Sequence, residues 1–131
     1  MAAYKKILLV DDDIDDRLIF EQILHKTDPS IVLDFAENGS EMISLLDQLP
    51  DEDLPELIIL DQNMPIMSGK ESLVFLKQSP RYNNTPVILY STYQIRDFFL
   101  ECRDMGALDV VPKPDTFQSY QEMIEQFLTL H

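Results

Sequence analysis

Apolar and polar residues alternate along this chain in blocks, and the blocks predict five strands, each followed by a helix. Lys6-Ile7-Leu8-Leu9-Val10 is a short apolar run ending in Asp11-Asp12-Asp13, which predicts strand one over about 5–10. Asp15-Asp16-Arg17 then opens a helix with Leu18, Ile19, Ile23 and Leu24 at helical spacing, and Asp28-Pro29 closes it. Acids at its start complement the helix dipole. Residues 31–36 form strand two, whose looser alternation marks an edge. Helix two starts at Asn38 or Ser40, with Met42, Ile43, Leu45, Leu46 and Leu49 as its apolar stripe. Beyond an acidic loop, Leu57-Ile58-Ile59-Leu60 runs straight into Asp61, as in a strand buried on both faces. Asn63, Pro65 and Gly69 supply the turn after it, and a helix follows over about 69–77 with Leu73, Val74 and Leu76 inward. Strand four is 86–91, and a helix over 92–105 carries Ile95, Phe98, Phe99 and Cys102. Gly106 fits the left-handed position after a helix end. Strand five is 108–112, where Pro112 argues for an edge, and the last helix is 116–130 with Phe117, Tyr120, Met123, Ile124, Phe127 and Leu128.

Strict alternation of strand and helix with short connections implies a parallel sheet covered on both faces. Five strands fit a flavodoxin-like, doubly wound (βα)5 fold of strand order 2-1-3-4-5, and that order puts the two suspected edges at the edges. The expectation is one α/β domain over 1–131, without repeats, linker or output domain.

Composition narrows the function. The chain has 131 residues, 45% hydrophobic and 26% charged, which suits a soluble globular domain. Its net charge of −14, from 10 Lys+Arg against 24 Asp+Glu, opposes binding to nucleic acid or anionic membrane. No apolar run approaches the ~18–20 residues of a membrane span. A single cysteine, Cys102, excludes an internal disulfide and suits a reducing, cytoplasmic setting. With no signal peptide before Asp11, the expected location is the cytoplasm. His25 and His131 have no ligand-like partner at helical spacing, so neither a zinc site nor a phosphohistidine is expected.

In open α/β sheets ligands bind at the carboxyl ends of the strands, at the switch point between strands one and three. There the predicted order brings Asp11 and Asp12 beside Asp61. Crowded carboxylates repel one another, and a hard divalent cation such as Mg²⁺ relieves that repulsion. A plainer reading makes the acidic cluster a helix cap, but Asp13, Asp15 and Asp16 suffice for that. Strand four ends in the hydroxyl pair Ser91-Thr92 and strand five in Lys113-Pro114. A carboxylate can act as a nucleophile toward phosphorus, while a metal and an ammonium stabilise charge on the transferring group.

These pieces resemble those of a CheY-like response-regulator receiver domain over essentially the whole chain. The matching residues are Leu9-Val10-Asp11-Asp12, Asp61-Gln62-Asn63-Met64-Pro65 with Gly69, Ser91, and Lys113-Pro114. The resemblance implies a signalling receiver rather than an enzyme with a substrate of its own. Asp61 would be the phosphoacceptor, taking phosphate from a histidine kinase or a histidine phosphotransfer protein. Mg²⁺ would sit on Asp12, Asp61 and the backbone carbonyl of Asn63, with Asp11 assisting through water. Ser91 would be the switch hydroxyl, Lys113 the phosphate-contacting ammonium, and Lys113–Pro114 a cis peptide. Output would run through contact with a downstream protein on the face of helix four, strand five and helix five, using Phe98, Phe99 or Tyr120.

Two positions depart from the pattern. Val110 stands where the family often has an aromatic switch residue, and Thr92 replaces a smaller residue after the hydroxyl. Tyr93, two residues beyond Ser91, is expected by this resemblance either to shield the phosphoryl group from water and slow its loss, or to turn out to solvent or join the partner-binding face in place of the aromatic missing at Val110. Two other functions compete. An aspartate-dependent phosphohydrolase would use Asp11 and Asp13, but leaves Asp61 unexplained. A flavin module on the same fold would meet acids where it needs a phosphate cradle.

Overall fold

The computed structural model describes residues 4–92 and 96–129. Its elements are β1 (Lys6–Val10), α1 (Ile14–Thr27), β2 (Val32–Ala36), α2 (Gly39–Gln48), β3 (Leu57–Asp61), α3 (Gly69–Gln78), β4 (Val87–Ser91), α4 (Arg96–Asp104), β5 (Asp109–Pro112) and α5 (Phe117–Thr129). A 3-10 turn, Asp51–Asp53, precedes β3. All strand pairings are parallel and the order is β2-β1-β3-β4-β5, as the alternation predicted.

The central strands explain the unbroken apolar runs. Every residue of β3 and β4 is buried, because helices cover both faces of the sheet. Alternate residues face alternate layers. Leu9, Ile59, Ile88 and Tyr90 pack under α1 and α5, with Phe20, Ile23, Met123, Ile124 and Phe127. Leu8, Ile58, Leu60 and Leu89 pack under α2, α3 and α4, with Met42, Leu46, Leu73, Leu76 and Cys102. Edge strand β2 leaves Val32 exposed, and β5 ends on exposed Pro112.

Helix ends follow their capping chemistry. The Asp13 side chain accepts from the Asp15 and Asp16 amides, so α1 begins at Ile14. Asn38 caps α2, and Ser68 with Glu71 forms a capping box on α3. Gly106 follows α4 with φ of 108°, the left-handed geometry expected of it.

Several expected inward positions lie outside the core. Leu18 and Phe117 are exposed; the buried positions of α1 are Phe20, Ile23 and Leu24. Of the predicted α1 stripe, Ile23 and Leu24 are buried and Ile19 packs against the core; Leu18 turns outward, and Phe20 is buried instead. Tyr120, expected on an output surface, is buried, while Phe98 and Phe99 are half-buried. Ile95 and Tyr93 lie outside the described residues. Among the described residues no peptide bond is cis, so Lys113–Pro114 is trans, the isomer that even X–Pro bonds favour. No helix among the described residues is long and apolar enough to cross a membrane.

Candidate functional site

Four strand ends converge at one rim of the sheet. Asp11 leaves β1 with its amide donating to the Ala36 carbonyl at 3.0 Å, which extends the β1–β2 ladder by one residue. Its side chain continues the alternation of Ile7 and Leu9, falls on the α1–α5 face, and is fully buried. Asp61 ends β3 on that same face and is 1% exposed. Asp12 points outward and is exposed. Carboxylate oxygens of Asp11, Asp12 and Asp61 all lie within 4.8 Å of one another.

Both oxygens of each buried acid are held. Asp61 Oδ1 accepts from the Asn63 amide at 3.1 Å, and Oδ2 accepts from Lys113 Nζ at 2.8 Å. Asp11 Oδ1 accepts from the Asp13 amide at 3.0 Å, and Oδ2 accepts from the Tyr90 hydroxyl. Lys113 is delivered by the end of β5, where its amide donates to the Ser91 carbonyl at 2.9 Å. Its ammonium also meets Asp16 Oδ2 at 2.9 Å and Asp11 Oδ2 at 3.5 Å. One lysine thus serves three acids. Ser91 is fully buried at the end of β4, next to Lys113 in the backbone register. Asn63 Nδ2 donates to Thr92 Oγ1 at 2.6 Å, linking the β3 and β4 loops above the rim.

The loop after β3 is packed tightly beneath the site. A Cβ on Gly69 would lie 2.6 Å from the Asp61 carbonyl oxygen and 2.7 Å from Leu89 Cδ1, so only glycine fits. The Gly69 amide donates to the Gln62 carbonyl, and Gln62 Oε1 accepts from the Lys70 amide. The same loop holds Ile66 at φ of 70°, the one left-handed non-glycine among the described residues.

Electrostatics follow from burial. Desolvation raises the Asp61 pKa from 3.8 to about 6; Lys113 opposes the rise and the Asp11 charge adds to it. For Lys113, burial favours loss of the proton, but Asp61, Asp16 and Asp11 together outweigh burial and raise its pKa, so it stays an ammonium. Burial and the Asp11 and Asp61 charges hold the Tyr90 phenol well above its ordinary value, so it is a neutral donor.

The donor set fits a hard divalent cation. It is all oxygen, it crowds three carboxylates within reach of one ion, and exposed Asp12 opens it to solvent. The predicted residues Asp11, Asp12, Asp61, Asn63, Ser91 and Lys113 all meet at this rim. Two neighbours were not foreseen. Asp16, expected only to cap the start of α1 and complement its dipole, also binds Lys113. Tyr90 sits in an apolar run; the signal available was that a buried phenol needs an acceptor, and the acids lie at that end of the sheet.

The sequence profile of the response regulator receiver domain matches residues 7–125. The chain belongs to that family. Its members are the phosphoacceptor domains of two-component signalling. The chain is 33% identical over 132 residues to a protein-glutamate methylesterase/protein-glutamine glutaminase of Bacillus licheniformis, covering 95% of this chain and 35% of that one. It therefore spans about a third of the length of that multidomain relative. Among solved structures, the Mn²⁺-bound form of response regulator Rcp1 superposes with a TM-score of 0.84 at 25% identity, covering 97% of this chain and 96% of that one. The phosphorylated cyanobacterial phytochrome response regulator RcpA superposes with a TM-score of 0.85 at 25% identity, covering 95% and 91%. The metal in the first relative and the carboxylate cluster here agree on divalent-cation binding.

Proposed function

We propose that Asp61 is the phosphoacceptor of this receiver and that Asp11, Asp12, Asp61 and the Asn63 carbonyl hold Mg²⁺. The observation that carries the reading is a buried aspartate at the end of the central strand, paired to Lys113 at 2.8 Å and clustered with two further carboxylates. A carboxylate oxygen of Asp61 forms the new bond to phosphorus. The bond from phosphorus to the donor nitrogen breaks, and the leaving imidazole takes up a proton. With a pKa of about 6, Asp61 is mostly ionised near neutral pH and is ready as a nucleophile. Lys113 lies where it can turn from the carboxylate to the transferred group, and Ser91 offers a hydroxyl from the adjoining strand end. Mg²⁺, when bound, supplies positive charge against the incoming phosphoryl oxygens.

The phosphoryl source is a histidine kinase or a histidine phosphotransfer protein, and output is contact with another protein. An excess of 14 negative charges argues against nucleic acid. The buried lone Cys102 suits a cytoplasmic protein. The chain acts on its own phosphorylation and dephosphorylation and on no separate substrate. Asp13 spends its side chain capping α1, which removes the second acid that an Asp-x-Asp phosphohydrolase requires. Incubation with a small phosphodonor and Mg²⁺, followed by intact mass, tests the assignment. One phosphoryl group is expected on the wild type, and none on Asp61→Asn or in EDTA. Wild-type uptake by Asp61→Asn would refute it.

A further inference from the structure

We infer that Tyr90 is a positioning residue of the cation site: its hydroxyl holds the Asp11 carboxylate in register for a divalent cation and keeps Lys113 from closing onto it. This rests on the reading of Asp11, Asp12 and Asp61 as cation ligands.

Tyr90 is fully buried in β4, directly paired in register with Asp61 of β3. Its ring lies in the apolar layer with Leu9, Ile59 and Ile88, where a phenylalanine would pack equally well. Only the hydroxyl is out of place in that layer. It reaches over β3 to Asp11 at the end of β1 and donates to Oδ2. The same ring lies 5.4 Å from Lys113 Nζ, so one side chain touches both the acid and the ammonium that compete around it.

The geometry gives the hydroxyl a task. Asp11 Oδ2 is 3.5 Å from Lys113 Nζ, farther than Asp61 at 2.8 Å or Asp16 at 2.9 Å. Without the phenol, Oδ2 would be a buried carboxylate oxygen whose nearest donor is that ammonium. The attraction would draw Lys113 toward Asp11 and turn the carboxylate about its bond to Cβ. A cation would then have to displace the lysine from Asp11 as well as from Asp61. With the phenol in place, Oδ2 is satisfied by a neutral donor. Asp11 keeps its orientation, which is how hydrogen bonds to a ligating carboxylate support metal binding.

Calorimetric Mg²⁺ titration of the wild type and Tyr90→Phe tests this, after thermal melts in EDTA have shown both folded. Tyr90→Phe is expected to lose about tenfold in Mg²⁺ affinity, the usual scale for a lost partner of a metal ligand. In an Asp11→Asn background the same change should lose nothing further, because the hydroxyl acts through Asp11. A second readout needs no loss of affinity. The chain has no tryptophan, so its near-ultraviolet band reports its five tyrosines. Mg²⁺ should shift that band in the wild type, as the Asp11 acceptor is partly neutralised, and the shift should vanish in Tyr90→Phe. Equal or tighter Mg²⁺ binding by Tyr90→Phe, or an unchanged tyrosine shift, overturns the inference and leaves the receiver reading intact. Failure of the wild type to bind Mg²⁺ overturns both.

Discussion

Replacing Asp61 by asparagine should stabilise the metal-free protein, and the gain should grow with pH. Asp61 is 1% exposed, and burial lifts its pKa from 3.8 to about 6. Between those two values the native state holds a proton that the unfolded chain has released. Stability therefore falls as pH rises through that window, and the full cost is present above it. A rise of about two units corresponds to about 3 kcal/mol at pH 7.5, and to about half that at pH 5, where native Asp61 is mostly protonated. Asparagine keeps the shape and cannot ionise. Lys113 does not lose its pairing in the variant, since Asp16 lies at 2.9 Å and Asp11 at 3.5 Å.

Urea unfolding in EDTA at the two pH values gives the four free energies needed. Asp61→Asn should be more stable than wild type by about 2–3 kcal/mol at pH 7.5 and by about 1–1.5 kcal/mol at pH 5. An asparagine variant that is less stable at pH 7.5, or a difference that does not change with pH, would show that Lys113 and the Asn63 amide compensate fully for burial. Added Mg²⁺ should shrink the difference, because it stabilises only the wild type with its full set of carboxylates.

Three further changes probe the scaffold of the site. Gly69→Ala should cost about 1–3 kcal/mol in thermal or urea unfolding, since its Cβ would lie 2.6 Å from the Asp61 carbonyl oxygen, and it should also slow phosphoryl uptake by shifting that strand end. Ile66→Asn should raise stability by about 1 kcal/mol, because isoleucine is strained at φ of 70° and its exposed side chain loses no burial; an unchanged or lower urea midpoint would count against the strain. Asp13→Ala should cost about 1 kcal/mol of stability through loss of the α1 cap while leaving phosphoryl uptake on Asp61 in place, and loss of uptake in a folded Asp13→Ala protein would return Asp13 to the chemistry.

What was legible in the sequence was whatever local pattern decides. Apolar runs stopped by acids marked β1 and β3, prolines and asparagines marked the loops, and strict alternation forced the parallel order. Because that order puts β1 beside β3, the sequence alone brings Asp11, Asp12 and Asp61 together. Helix faces were less legible where charge and apolar character mixed. Ile19, Ile23 and Leu24 of the predicted α1 stripe do meet the core, but Leu18 is exposed and Phe20, outside that stripe, is buried. Interactions that cross a strand were not legible at all. Tyr90 meets Asp11 over the top of β3, and Asp16 meets Lys113 from α1 to the end of β5. Neither pairing has a sequence spacing that a periodic reading can test.

The missed residues share a cause that lies in the charge balance of the rim. Asp11, Asp12, Asp16 and Asp61 bring four carboxylates to one place, and Lys113 is the cation that pairs with three of them. A single ammonium cannot satisfy that many acids, two of which are fully or almost fully buried. The remaining demand is met by neutral donors, the Tyr90 hydroxyl on Asp11 and the Asn63 and Asp13 amides on Asp61 and Asp11. Neutral donors stabilise carboxylates without cancelling their charge, so the rim stays net negative while its geometry is fixed. That combination suits a site that takes up a divalent cation and then a phosphoryl group. Had the excess charge been neutralised by a second lysine or an arginine, the fold would have been easier to stabilise and the cation would have had nothing left to bind.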